Sequence, residues 1–220
     1  MVDIALYGNL VLDTIFENFQ SRQDLGGIAN VWKSIKIQST STVQIIPITI
    51  GSAIIYIDSE VGSKYAKPNL IEHYQVPTIV KSKISHIAYL NQLPNLEFVK
   101  NIKSNITCAD LAGIKSFDYS VLQYIDYLFI AHDEVSNLGD IMKHIKGNVI
   151  VHNPNGSTFY SNELKSQFKF YHSSIKNVNV LGAGDHLAAS FMLNKLKKLN
   201  DIDAIKLAHE STIEFLKKNN

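Results

Sequence analysis

Four residues late in the chain, Gly182, Ala183, Gly184 and Asp185, have the types and spacing that acid–base chemistry on an anion needs. They lie between a β-like run (Val178, Val180) and a helix-like run through Ala188, Phe191, Met192 and Leu196. A small-residue turn opening onto a helix leaves backbone N–H groups unpaired and aimed at one spot, where the helix dipole favours negative charge. A carboxylate in the same turn would sit beside any anion held there, which makes sense when something between them has to lose a proton. Attack of an alcohol on a phosphate is such a reaction. The same residues also fit a structural role, with glycines for tight helix–sheet packing and Asp185 as a first-turn acid.

The elements that would position this turn are read from hydrophobic spacing. Val2 to Tyr7 reads as a first strand ended by Gly8-Asn9, and Leu10 to Phe16 as a second one with Asp13 inside it. Asp13 either faces solvent, as alternation permits, or accepts hydrogen bonds from vicinal hydroxyls of a polyol. Gly26-Gly27 reads as a turn before a helical pattern that includes Asn30, Val31 and Ile35. Thr42 to Asp58 reads as two strands meeting near Gly51, and Ser59 to Val76 as turn-like. From Ile84 to Val151 short β runs alternate with short helical ones, which predicts βα units, a parallel sheet and helices on both faces. Ligands of such sheets sit at the carboxyl ends of the strands. Here those ends carry Gly8-Asn9, Asp110, Ala131-His132-Asp133-Glu134 and His152-Asn153. Two packing helices follow, to about Lys197 and from Ile202 to Leu216.

The whole-chain numbers narrow the classes. A length of 220 residues fits one domain with a real core. A formal net charge of +1 gives no electrostatic hint of a nucleic-acid or membrane partner, so neither is expected. The most apolar stretch, Val43 to Ile57, is interrupted and shorter than the ~20 residues of a membrane span. The opening residues read as a strand and not as a secretory address. Cys108 is the single cysteine, which excludes internal disulfides; a buried thiol in a reducing, cytoplasmic compartment is the expectation. The eight histidines form no His-x-x-x-His or Glu-x-x-His pair, and no nucleophile elbow or P-loop occurs.

Gly182 to Asp185 resembles the second half of Asp-Thr-x-Gly-Ala-Gly-Asp, the signature of the ribokinase (PfkB) family of carbohydrate kinases. Gly8-Asn9 with Asp13 is similar to the family's opening Gly-Asn-x-x-x-Asp, and Gly26, Gly27 and Asn30, spaced one residue more closely, resemble its Gly-Gly-x-x-x-Asn. The resemblance implies an α/β, three-layer αβα fold with a mostly parallel sheet, one domain over residues 1–220, and a reduced β lid within about 10–25. It implies Asp185 as catalytic base, Gly182, Ala183 and Gly184 as anion hole, and Asp13, Gly26, Gly27 and Asn30 as the binders of a sugar or nucleoside. Asn155 and Gly156 would hold the nucleotide, and Glu134 a Mg²⁺ ion through water, with ATP as donor. The small lid points to a homodimer whose second subunit helps close the site. Asn179, Val180, Ala131 and His152 depart from the family pattern, all on the nucleotide side. Those departures keep two alternatives open, a polyol- or nucleoside-binding protein without turnover and a vitamin-type kinase of the same superfamily. They also suggest an unusual phosphoryl donor or donor geometry.

Overall fold

The computed structural model describes residues 1–58, 63–71, 75–112, 117–134, 138–153, 155–172, 175 and 179–218. The described residues form ten strands: β1 (Val2–Glu17), β2 (Gln20–Gly27), β3 (Val43–Asp58), β4 (Ser63–Ile71), β5 (Ser82–Ala88), β6 (Ser104–Asp110), β7 (Tyr127–Ala131), β8 (Asn148–Asn153), β9 (Gly156–Ser161) and β10 (Ser166–Tyr171). They make one sheet in the order β10-β9-β8-β7-β6-β5-β1-β3-β4, with β2 also paired to β1. The run β3-β1-β5-β6-β7-β8 is parallel, while β2, β4, β9 and β10 join antiparallel.

Side-chain alternation sorts the two faces. On β1, Ile4 and Leu6 enter one core and Ala5 and Tyr7 the other, as in a strand covered on both sides. The first core is capped by α1 (Ile28–Gln38), α3 (Ala183–Leu196) and α4 (Asp201–Lys218). The second is closed by α2 (Leu138–His144) and by 3₁₀ turns at Leu90–Gln92, Glu97–Asn101 and Tyr119–Tyr124. This is the three-layer αβα arrangement that the alternating runs predicted. Every residue of α3 from Asp185 to Asn194 is buried, so this helix has no solvent face and its first turn is held from all sides.

The strands near the amino terminus are longer than their sequence suggests. Val2 to Phe16 is one strand and not two, because Gly8-Asn9 makes a bulge and not a break. The buried Asn9 pins that bulge: Thr49 donates its hydroxyl to Asn9, and the Asn9 amide donates to Gln92 at 3.3 Å. Thr42 to Asp58 is likewise continuous as β3. Pro47 sits at the register shift, where a missing N–H is tolerated, and Gly51 pairs with both Val11 and Leu70. The stretch read as turn-like contains β4, which the exposed flank of β3 recruits as an antiparallel partner. Beyond the bulge the second halves of β1 and β3, with β2 and β4, form a four-stranded flap that extends well past residues 10–25. Its inner face, Ile15, Ala53, Ile55 and Ile57, packs on Leu181. Gly156 opens β9 and pairs with Asn153 at the end of β8, and the β9–β10 hairpin has no counterpart in the sequence pattern. Leu96 to Lys100 and Tyr119 to Leu122 are helical, as 3₁₀ turns. Val178 lies outside the described residues, and Val180 is not in a strand.

One core residue contradicts its surroundings. His86, on β5 between Leu6 and Cys108, is fully buried, and neither ring nitrogen has a partner among the described residues. Burial drives its pKa down to about 3, so it is neutral and unpaired. An unsatisfied buried polar group costs about 1–3 kcal/mol. His86→Leu should therefore raise the unfolding free energy by about 1 kcal/mol or more, read from urea denaturation curves.

Candidate active site

Gly182, with φ of 78°, is the left-handed residue before α3. The N–H of Ala183 donates to the Val180 carbonyl at 3.1 Å and that of His186 to the Gly182 carbonyl at 2.8 Å. Of the N–H groups assigned to the anion hole, those of Gly184 and Asp185 are left without a partner among the described residues. The Asp185 carboxylate is buried beside them. It accepts the Tyr89 hydroxyl, 3.1 Å from Oδ1 and 3.4 Å from Oδ2, and a second hydrogen bond from the Asn30 side chain. Burial raises its pKa, while the charge of Lys64, the two hydrogen bonds and the charge of Lys33 pull it back. Tyr89 itself follows β5 in the left-handed region, φ 59°, a conformation that costs a non-glycine residue about 1–3 kcal/mol and clusters at functional sites.

The flap and α1 supply the facing residues. Asp13 pairs across β1–β2 with Asp24, and a Cβ on Gly26 would fall on the Asp13 carboxylate. Gly27 turns the chain from β2 into α1 with φ 63°; a Cβ there would strike the Asn9 carbonyl. Both glycines are therefore required by space, and the turn puts Asn30 in the first turn of α1, on Asp185. Asp13 is 4% exposed, and burial lifts its pKa to about 6 against the opposing charge of Lys33.

A cavity of 690 Å³ has Ala183, Gly184, Asp185, Glu134 and Gly156 in its wall, whereas Asp13, Gly26 and Gly27 line neither it nor the smaller hollow beside Asn30. Glu134 accepts the Ala131 N–H at 3.3 Å. Asn155 is exposed and outside that wall. Gly182 and Asn30 line a separate hollow of 390 Å³ together with Asn179, whose amide donates to Glu17 at 3.1 Å. His152 lies against α3, its ring 3.1 Å from where a Gly184 Cβ would be. Tyr89, Asp110 and Lys64 line the cavity but were given no role by the sequence reading. Asp110 and Tyr89 stand at or just after the carboxyl ends of strands, the signal that could have found them; Lys64 sits on the strand that had been read as a turn.

This architecture is the ribokinase fold. The chain superposes on a pyrophosphate-dependent kinase in the ribokinase family, solved with a pyrophosphate analog and myo-inositol, over 97% of its length and 95% of that chain, at a TM-score of 0.73 and 13% identity. It is similar over 99% of its length, and 92% of the other chain, to the Methanocaldococcus jannaschii nucleoside kinase at a TM-score of 0.77 and 16% identity. Ribokinase from Thermotoga maritima matches over 96% and 92% at a TM-score of 0.68 and 17% identity. No sequence-family model matches the chain, and no curated protein matches it in sequence. Among the described residues no helix is long and apolar enough to cross a membrane.

The raised pKa of Asp13 has a sign that stability can report. A proton binds this carboxyl more tightly in the folded chain, so its contribution is full below 3.8 and is lost as pH rises through about 6. The loss is roughly 3 kcal/mol, and burial of Asp110 and Asp185 acts in the same sense. Urea denaturation from about pH 4 to pH 7 should show stability falling with pH, and Asp13→Asn should flatten that fall.

Proposed function

We propose that the chain is a kinase that transfers a phosphoryl group to an alcohol of a sugar or nucleoside. The observation that carries this reading is the Asp185 carboxylate held by Tyr89 and Asn30 at the first turn of α3, beside the N–H groups of Gly184 and Asp185, which have no partner among the described residues. In the reaction the acceptor oxygen bonds to phosphorus, its proton passes to Asp185, and the bond to the leaving phosphate breaks with its electrons going to that phosphate. The Gly184 and Asp185 N–H groups hold oxygens of the transferring group, where positioning and electrostatics dominate the catalysis. Asp13 and Asn30 orient the acceptor, and Gly26 and Gly27 let it approach the backbone closely. Glu134, whose carboxylate lines the same cavity, suits Mg²⁺, which keeps most of its water and needs one or two carboxylates. Mg²⁺ would neutralise charge on the donor phosphates.

For the donor, ATP is the first reading. The compact donor pyrophosphate is a second reading, favoured by Asn155 standing outside the cavity wall and by His152 crowding the α3 turn. One neighbour in fold is a pyrophosphate-dependent kinase.

Asp185→Asn should lower kcat by ~10²–10⁴-fold while acceptor binding is kept, because a positioned base contributes about that much. Turnover with ATP and with pyrophosphate, each with and without EDTA, identifies the donor and the metal requirement. Normal turnover by the variant overturns the assignment. Acceptor binding by the wild type without turnover on either donor leaves the binding-protein alternative.

A homodimer belongs to the same proposal. The outer face of the flap exposes Leu12, Phe16, Ile50, Ile54 and Tyr56, with the Phe16 and Tyr56 rings stacked at 5.3 Å, and a second copy would cover it. Sedimentation should give twice the chain mass, and Ile54→Glu should give the monomer.

A further inference from the structure

Asp110 is a buried carboxyl with no partner among the described residues. It ends β6, is 7% exposed and faces the 690 Å³ cavity. Neither a hydrogen bond nor an ion pair reaches its side chain among the described residues, and the proposed mechanism makes no use of it. The charges it feels are those of Asp185, Glu134 and, in opposition, Lys64. The Tyr89 hydroxyl lies among Asp185, Asp110 and Asp13, but its single proton goes to Asp185. The backbone just beyond is fixed: the Asn91 amide donates to the Ala112 carbonyl at 3.0 Å, the Ala112 N–H donates back to Asn91 at 2.9 Å, and the Leu111 N–H reaches the Phe129 carbonyl at 3.1 Å. The carboxyl is thus anchored at a place where folding alone would be better served by an apolar side chain.

We propose that Asp110 binds hydroxyl groups of the acceptor, and that with Asp13 and Asp185 it restricts the acceptor to neutral polyhydroxylated molecules, excluding sugar acids and sugar phosphates. The inference rests on the acceptor occupying the site assigned above. Asp13, like Asp110, is buried without a hydrogen-bond partner among the described residues; Asp110 is the one of the two that lines the cavity, where a polyol would supply the missing hydrogen-bonding groups. A carboxyl at the cavity wall can accept from hydroxyls with both of its oxygens and, when it holds a proton, donate to one as well, as vicinal hydroxyls require. An anionic acceptor brings a further negative charge against Asp13, Asp185 and Glu134. Lys64 does not offset it, because its one charge is already shared among Asp13, Asp110 and Asp185, and Lys33 is paired with Asp24 at 2.6 Å. A metal is the poorer occupant, since among the described residues no group of three or more His, Cys, Asp or Glu is arranged to hold one.

The test is binding by the full chain without any phosphoryl donor, by calorimetry and thermal shift. The probes are ribose, adenosine and myo-inositol against gluconate, ribose 5-phosphate and Mg²⁺ alone, on wild type, Asp110→Asn and Asp110→Leu. The expected result is a melting temperature of the free variants at or above wild type. Affinity for a neutral probe should fall about tenfold or more in Asp110→Leu and less in Asp110→Asn. Wild-type affinity for a neutral probe should exceed that for either anion. The proposal is overturned if Asp110→Leu binds the neutral probes as wild type does, if an anion binds best, if no neutral probe binds, or if the substitution removes Mg²⁺ binding instead. Neutral binding that depends on Asp110 but supports no turnover with ATP or pyrophosphate retires the kinase reading alone. Turnover indifferent to Asp110 retires this inference alone.

Discussion

A carboxylate taken out of water must be given hydrogen bonds, and the molecule is arranged around meeting that demand for Asp185. The buried α3 fixes where the group stands, Tyr89 reaches it from the end of β5, and Asn30 from the first turn of α1. Each donor carries its own requirement. Tyr89 accepts a left-handed backbone, and Asn30 depends on Gly27 making a turn that no other residue could make so close to the Asn9 carbonyl. Asn9 in turn is fixed by Thr49 and Gln92, so the chain of dependence runs from the acid back into the bulge of the central sheet.

Acids gathered in a dry place work against the fold that gathers them. Asp13, Asp110 and Asp185 are all pushed toward the protonated form by burial, Asp13 and Asp110 further by the charge of Asp185, and among the described residues Asp185 alone of the three has hydrogen-bond donors. Environment therefore treats two neighbouring carboxyls differently: burial raises both, but Asp185 alone of the two has hydrogen bonds, from Tyr89 and Asn30, that favour its charged form. His86 is a different case, without a hydrogen-bond partner among the described residues and outside the cavity wall; nothing in the structure explains its presence.

The parallel core was legible because strands buried on both faces read as apolar runs, and β5 to β8 with the turns between them follow that pattern. The α3 turn was legible because a glycine must precede a helix entered through the left-handed region. What escaped the sequence is what tertiary pairing decides. Gly8-Asn9 and Pro47 look like breaks and become a bulge inside two long strands. Ser63 to Ile71 lacks apolar alternation because it is an edge strand seated on β3, which hid Lys64 with it. Tyr89 and Asp110 could be placed at strand ends, but the convergence of their side chains on Asp185 depends on neighbours distant in sequence. The role of Asn155 rested on the resemblance alone, and in the structure the residue is exposed and outside the cavity wall.

Because β1 and β3 each run for sixteen residues from core into flap, the flap is the overhanging end of the sheet itself and not a loop on hinges. At about 3.3 Å per residue each strand is a beam roughly 50 Å long, clamped over its first half between two hydrophobic layers. Such a cantilever cannot swing freely; it can only bend and twist, most easily at the notch where Asn9 and Thr49 interrupt the register. Any molecule that draws the overhang down over Asp13 must load the same strand that carries Ile4 and Leu6, so grip at the mouth of the site is felt as torsion in the middle of the protein.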